Sequence, residues 1–394
     1  MNQRAVIFGD RAERSWRALD ARALRPDSAA ADEQADGACD ASVSENEIAS
    51  RLDARLGLAL EALVFDAGVP SEVGSALSSL VEQGLDVLPR PAHGQTLARW
   101  RALSRVAQRD LGLVKLYEGH TDALAVLDEL GSDIPTKSRW GVFAAEAPDF
   151  QARAMFDDPL SHASGSPVTL HGAKAWCSGA QALTHALITC RDNERGHRLV
   201  ALALDQPGVR ISTSNWHAVG MAATASADMT FDHARGWVVG EPDAYLSRCG
   251  FWHGGAGIAA CWYGGALRLA KAVAAAVRRT PDAHRSAHLG AIDVALRGAA
   301  SGLRDAAAWI DAHSEEDAMH VVLRTRLLVE QAATSVIEHA GRSLGAGPLC
   351  RDADIARCMA DLPVFLRQSH AERDLAMLGE LHARERNDDA QWCL

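Results

Sequence analysis

The chain has 394 residues, of which 48% are hydrophobic, and its formal net charge is −11. This length predicts two or three domains, and the acidic balance argues against binding of nucleic acid through general electrostatics. No Cys-x-x-Cys pair, no membrane-spanning run and no apolar signal sequence occurs, so we expect a soluble protein of the reducing cytoplasm.

Residues 1–45 form a polar segment that we interpret as mobile, because 26–44 are small and acidic and include no aromatic residue. Apolar residues then recur at helical spacing, which predicts an N-terminal helical domain over 46–138. Its predicted helices cover 46–62, 71–83, 94–111 and 113–130.

At Trp140 the apolar period changes from helical to strand-like. Short β-type runs alternate with Gly, Pro and Asp turns, a pattern typical of a β-barrel or sandwich. The predicted strands are 140–144, 168–173, 185–190, 199–204, 209–212, 227–231 and 237–239. They define a middle β-domain over 139–245.

The remaining part of the chain, 246–394, is again helical in pattern. Long Ala- and Leu-rich runs joined by short linkers predict an antiparallel four-helix bundle. Its predicted helices cover 258–279, 287–313, 317–344 and 354–384. The expected fold class is therefore α+β, with an N-terminal helical domain, a middle β-barrel domain and a C-terminal four-helix bundle.

Two motifs in the middle domain carry a family resemblance. The first is a Lys-x-Trp-x-x-Gly turn, and the second, about forty residues later, has the form Gly-Met-x-x-Thr-x-Ser-x-Asp-x-x-Phe-Asp. Their residues are Lys174, Trp176, Gly179, Gly220, Met221, Thr224, Ser226, Asp228, Phe231 and Asp232. This region resembles the middle domain of the acyl-CoA dehydrogenase superfamily, which includes a branch of flavin monooxygenases. The α–β–α order is similar to that of the superfamily, and the resemblance implies a flavoprotein that binds FAD.

The resemblance also implies which residues contact the flavin ring. Trp176 would be an aromatic wall, with Cys177 and Ser178 offering backbone and hydroxyl contacts. The strand that begins at Trp140 would supply the other contacts, from Phe143, Ala145 and Glu146. Ala145 stands where the family usually has Thr, so one side-chain donor is missing.

A second set of implied contacts lies in the C-terminal domain. In this family an Arg at the end of the first bundle helix and a later Gly-rich turn hold the FAD diphosphate of a neighbouring subunit. The matching positions are Arg278 or Arg279, and Gly345 with Gly347. Because such a site is shared, a homodimer or homotetramer is implied.

The catalytic base is where this sequence departs from the family pattern. The Glu expected late in the chain falls near Ser369 or His370, and the alternative position at the first bundle helix has no carboxylate. We therefore consider His370, Glu372 and His253 as replacement acid–base groups. His120 and His370 also match positions at which the monooxygenase branch places histidines.

Three functions remain open at this stage. The first is α,β-dehydrogenation of an acyl thioester, on CoA or a carrier protein, with hydride transfer to flavin N5 and reoxidation by an electron-transfer flavoprotein or oxygen. The second is a two-component flavin-dependent monooxygenase served by a flavin reductase. The third is a non-catalytic flavin-fold scaffold.

Three short motifs carry less weight. The Gly-x-Ser-x-Gly run at 341–345 lacks the preceding strand of a nucleophile elbow, and the glycine pattern at 255–260 lacks the strand of a dinucleotide fingerprint. His284 and His288 lie one helical turn apart without an evident third ligand, so we predict no metal site.

Overall fold

The computed structural model describes residues 45–156, 163–192 and 196–384. Within them helices are followed by strands and then by helices, and the expected fold class is confirmed. The segment interpreted as mobile lies almost entirely at 1–44, outside the described residues.

Four helices form the described N-terminal part of the molecule, from residue 45 onward. They are α1 Glu45–Ala62, α2 Pro70–Glu82, α3 Thr96–Arg109 and α4 Leu111–Glu129. Asp110 alone separates α3 from α4, and its side chain caps α4 by accepting the backbone N–H of Leu113 at 2.8 Å. Most of α4 is buried, so this helix runs through the interior rather than over the surface.

Seven strands make up the middle part. They are β1 Trp140–Phe143, β2 Ala152–Phe156, β3 Pro167–Cys177, β4 His185–Arg191, β5 His197–Ala203, β6 Val209–Ser212 and β7 Ala227–Val238. The pairings β4–β2–β3–β7–β5 return to β4 and so close a barrel. The strand β1 lies parallel to β4, and β6 lies along β7.

Two strand predictions are corrected. The strand β2 has no counterpart among the predicted strands, because its side chains alternate between buried and exposed over only five residues. The predicted strands 227–231 and 237–239, which turn residues separate in the sequence, belong to the single strand β7. The chain instead continues as one strand because His233 forms a β-bulge at a φ of 58° and restores the pairing beyond it.

Eight helices follow the barrel in the part of the chain that is described. They are α5 Ala244–Ser247, α6 Gly250–Gly255, α7 Gly257–Arg279, α8 Ala283–Ala312, α9 Met319–Leu344, α10 Ala346–Arg351, α11 Ala353–Phe365 and α12 Glu372–Arg384. The long helices α7, α8 and α9 pack along one another, and the final helices cover them.

The single helix predicted over 354–384 is wrong, because the chain breaks between α11 and α12. Ser369 accepts the backbone N–H of Ala371 at 3.1 Å, and Asp374 accepts that of His370 at 3.1 Å. These side chains capture N–H groups that a continuous helix would use. Ala371 also has a φ of 45°, which a helix does not allow.

The three parts meet in a common core. Gly179 of the barrel packs so closely on α4 that a Cβ there would lie 2.5 Å from Leu116. A second barrel loop contacts α11, where the backbone N–H of Met221 donates to Asp361 at 2.5 Å. No helix among the described residues is long and apolar enough to cross a membrane.

Candidate active site

The indole of Trp176 lies on β3, three residues before Gly179, and is the most unusual feature near the contact between the barrel and α4. Between the pairs Lys174–Met229 and Cys177–Ala227, two residues of β3 oppose one of β7, and this bulge sets Trp176 at a φ of 60°. That conformation is strained for a bulky side chain. The indole is nevertheless 60% exposed, so packing does not explain why it is held there.

A cavity of about 380 Å³ lies beside this indole. Its aromatic walls come from Trp176, Phe150 and Trp216. Its polar lining comes from Asn215, His217, Ser226 and Asp228. A largely apolar space with a few polar groups is typical of a site for a flat organic ligand.

The two residues after Trp176 play different roles. Cys177 is fully buried, burial raises the pKa of its thiol to about 12, and Sγ lies 3.6 Å from the carbonyl of Lys174. It therefore presents only backbone to a ligand. Ser178 is 2.7 Å from Ser226, whose hydroxyl is 3.0 Å from that of Thr224, so the two motifs meet in one chain of hydroxyl groups.

The lysine of the Lys-x-Trp turn is buried and holds the end of β1. Its Nζ donates to the carbonyl of Ala145 at 3.0 Å, to Glu146 at 3.1 Å and to Thr189 at 2.9 Å. Phe143 is buried, whereas the side chain of Glu146 is 44% exposed. Lys174 thus fixes the strand end beside Trp176 rather than contacting a ligand itself.

A stripe of half-buried residues runs along the otherwise buried helix α4. Lys115, Glu118, Gly119 and Asp122 have the spacing of one helix face, and we call them the α4 polar face. Lys115 adjoins Leu116, the residue that contacts the turn after Trp176. The α4 polar face therefore belongs to the same helix that packs against the turn after Trp176.

Opposite this face, Arg326 of α9 holds two backbone segments together. Its guanidinium donates to the carbonyls of Gly255 at 2.9 Å and Gln368 at 3.0 Å, and lies over Trp262. Burial lowers the pKa of Arg326, while Asp374 and Glu118 stabilise its charge. Arg326 thus brings the break between α11 and α12 close to the α4 polar face.

The side chain of His120 holds two parts of the fold together and is not free to contact a ligand. It is fully buried, Nε2 is 3.0 Å from Asp86, and Nδ1 accepts the backbone N–H of Trp140 at 3.1 Å. Since Nδ1 accepts, the proton sits on Nε2 and is donated to Asp86. Both ring nitrogens are occupied in joining α4 to β1.

The other three predicted acid–base residues are not brought together. His253 is buried on α6, where burial lowers its pKa and Nε2 has no hydrogen-bond partner among the described residues. His370 and Glu372 face solvent, and the only ionic contact of His370 within the described chain is with Asp374, at 3.5 Å. Neither His370 nor Glu372 therefore places an acid–base group in the interior of the protein.

The predicted diphosphate residues meet at one end of the bundle. Arg285, at the start of α8, donates to the carbonyls of Thr280 and Ser343, which joins the end of α7 to the end of α9. Arg278 and Arg279 are exposed there, and Gly345 has a φ of 67°, which favours glycine. Gly347 is equally open, since a Cβ there would meet nothing within 4 Å.

Sequence reasoning missed two carboxylates near the junction, Asp122 and Asp361. Asp361 is 5% exposed, and burial raises its pKa to about 6 although it accepts the N–H of Met221. Asp122 lies on the α4 polar face against Gly254. Each contacts a residue more than a hundred positions away, so no local spacing signals them.

A possible set of metal ligands, also missed, lies on the barrel surface. His171, Asp232 and His233 hold their ligand atoms within 4.8 Å of one another. Because Asp232 pairs directly with His171 across β3 and β7, the set depends on strand register rather than on sequence spacing. His288, considered for a metal from sequence, instead lies with Nδ1 2.9 Å from Nδ1 of His339.

A helical domain, a closed barrel and a helical bundle, meeting at an exposed indole, define the class of fold, and the comparisons identify it. Residues 154–234 match the family model "Acyl-CoA dehydrogenase, middle domain". No curated protein sequence matches the chain.

Solved structures match over most of the chain. Dibenzothiophene monooxygenase TdsC from Paenibacillus sp. A11-2 is 16% identical with a TM-score of 0.69, covering 85% of this chain and 96% of that one. KijD3, in a complex with FMN and a dTDP-linked sugar, is 18% identical with a TM-score of 0.70, covering 85% and 93%. Butyryl-CoA dehydrogenase from Megasphaera elsdenii is 13% identical with a TM-score of 0.70, covering 88% and 100%. The resemblance seen in the sequence is confirmed: the chain has the acyl-CoA dehydrogenase fold.

Proposed function

We propose that this protein is a flavin-dependent oxidoreductase that α,β-dehydrogenates an acyl thioester. The observation that carries the proposal is Trp176, a strained and exposed indole on the barrel beside a largely aromatic cavity. A protein stores such strain where a ligand uses it. A flat redox ring is the ligand that an exposed indole and an aromatic cavity suit.

The residues present fit both parts of FAD, its ring and its diphosphate. The ring would lie on Trp176, with Ser178 and the backbone of Cys177 as polar contacts. Arg278 and Arg279, exposed and without an ion pair among the described residues, would together with the open Gly345 of the same subunit hold the diphosphate of the FAD bound to a second subunit. A homodimer or homotetramer would complete the site.

The bound flavin would supply the two-electron oxidation. The chain's own residues bind and orient the thioester, exclude water and move the proton. The region between the α4 polar face and Arg326, which we call the cleft, would receive the thioester. Lys115 and Glu118, 3.0 Å apart, would set its polarity, and Arg326 would hold its wall by bridging Gly255 and Gln368. Carboxylates on the α4 polar face answer the main objection from the sequence, namely that the usual positions of the base lack one.

A flavin monooxygenase is the second candidate, favoured by the likeness to TdsC and KijD3, which have TM-scores similar to that of butyryl-CoA dehydrogenase. His120 is one of the two histidines that favoured this function in the sequence. Its burial and its hydrogen bonds at both ring nitrogens argue against that role.

An anaerobic titration with short, medium and branched acyl-CoA thioesters tests the proposal. The flavin absorbance near ~450 nm should bleach with at least one of them. A protein that keeps its colour with every thioester, yet consumes oxygen when given reduced flavin, would be the monooxygenase. A protein that binds neither redox state of flavin would be the scaffold, and the proposal would fail.

A further inference from the structure

One carboxylate in the cleft, that of Asp122, is not used to hold the described parts of the fold together. Asp122 follows Glu118 by one helical turn on the α4 polar face and is half-buried. Among the described residues it makes no hydrogen bond and no ion pair. Its neighbours on the same helix are all engaged: Glu118 pairs with Lys115, Asp128 with Arg90, and Glu129 with Arg248.

The position of Asp122 is set by a glycine. A Cβ at Gly254 of α6 would lie 2.9 Å from Oδ1 of Asp122, so a larger residue there would displace the carboxylate. The start of the bundle is also one of the two regions in which the family resemblance places a base. The structure supplies from α4 the carboxylate that this region lacks in its own sequence.

The charged groups around Asp122 come from several elements. Arg99 of α3, Lys115 of α4 and Arg248, between α5 and α6, favour its ionised form, whereas Glu118 disfavours it. Burial outweighs them and raises the pKa of Asp122. Arg99 and Arg248 are themselves held, by the carbonyl of Thr121 and by Glu129, at 2.9 and 2.7 Å.

We propose that Asp122 is the acid–base group of this cleft, taking the Cα proton of the acyl thioester. The inference rests on the proposed dehydrogenation. As the Cα–H bond breaks, its proton passes to a carboxylate oxygen of Asp122. The Cβ–H bond breaks with its electron pair, which leaves with the hydrogen for the flavin oxidant, and the carbon–carbon double bond forms. A free carboxylate with a raised pKa is suited to this transfer.

The test compares Asp122→Asn with Asp128→Asn in the full-length holoenzyme. Both side chains lie on α4 and burial raises the pKa of both, but Asp128 is paired with Arg90 at 2.9 Å. Asp122→Asn should slow anaerobic flavin reduction by butyryl-CoA, or by the best thioester, at least ~100-fold. It should leave flavin affinity unchanged and abolish the acidic limb of the pH profile. Asp128→Asn should keep the rate within about threefold, since it removes only a structural pair.

Thermal unfolding gives a readout that needs no substrate. A folded-state pKa above the unfolded value means that the ionised carboxylate costs stability as the pH rises above ~4. Asp122→Asn should therefore raise the unfolding midpoint at pH 7, by ~2 °C or more, and the gain should shrink toward pH 4.

Each outcome separates this inference from the proposed function. Wild-type protein whose flavin no thioester reduces would overturn both. Wild-type protein that is reduced, with an Asp122→Asn variant reduced within threefold of its rate, would overturn only the role of Asp122. A variant that loses stability at pH 7 would make Asp122 a structural residue and would also overturn the inference.

Discussion

Trp176 has a φ of 60°, a conformation that costs about 1 kcal/mol for a residue with a Cβ and nothing for glycine. Because its indole is 60% exposed, little apolar burial offsets that strain. We expect Trp176→Gly to weaken flavin binding about tenfold, the loss of one aromatic contact. The free energy of unfolding should change by less than about 1 kcal/mol. Flavin titration and urea denaturation measure the two quantities.

Trp309 provides the matched control for Trp176. It is half-buried in the bundle and stacks on His313 with ring centroids 4.5 Å apart. Trp309→Ala should lower the free energy of unfolding by about 2 kcal/mol and leave flavin affinity unchanged. If both variants lose stability and neither loses flavin, Trp176 is a packing residue.

His120 illustrates how a residue that resembles a catalytic one can serve the fold. His120→Ala would leave Asp86 and the N–H of Trp140 without their partner in a buried place. Each unpaired group costs about 1–3 kcal/mol, so we expect a loss of at least ~2 kcal/mol in urea denaturation. The rate of flavin reduction in the remaining folded protein should stay within threefold. A variant of normal stability that loses turnover would restore a catalytic role for His120.

At the scale of elements, Ser369 is one of the two side chains that hold the break between α11 and α12. Ser369 is buried, donates to Glu330 of α9 and accepts the N–H of Ala371. Ser369→Ala should lower the free energy of unfolding by about 1–2 kcal/mol and speed amide hydrogen exchange in 366–374. Thr334→Ala removes an exposed hydroxyl bond on the same helix α9 and should change stability by less than about 0.5 kcal/mol. Unchanged exchange in the Ser369 variant would mean that the helix ends hold the loop.

Helices and strands with a clear period were predictable, because burial of one face imposes the period on the sequence. The long helix α9 and the strand β6 end where the sequence pattern does. The bulges at Trp176 and His233 were not predictable. A bulge changes how a residue pairs but not which residue it is. Neither Trp nor His favours a positive φ as strongly as glycine does, so neither marks a bulge in the sequence.

At the scale of the whole molecule, the order of helical and strand-like periods was enough to predict the fold class. The motif of Lys174, Trp176 and Gly179, with the second motif about forty residues later, indicated the family. The site was only partly predictable. Trp176 and Ser178 belong to the motif and lie at the junction, whereas Asp122 meets Gly254 only after the helical domain packs on the bundle. The contacts that define such a pair are set by tertiary packing, which leaves no periodic trace in the sequence.

We expect the end of the bundle that carries Arg278 and Arg279 to decide whether the protein retains FAD or FMN. FAD has a diphosphate and an adenosine that FMN lacks, so cations that bind this diphosphate would act on FAD alone. We expect a variant carrying Arg278→Gln and Arg279→Gln to weaken FAD binding at least ~10-fold and FMN binding less than ~2-fold, since a charge-assisted contact is worth about 1.5–3 kcal/mol. Arg297→Gln, which removes an exposed cation paired with Asp293 on α8, should change neither. Fluorescence titrations with both flavins, with sedimentation to record the oligomer, measure this. Equal weakening of FMN and FAD, or tight FAD binding by a monomer, would show that these arginines do not hold a diphosphate across subunits.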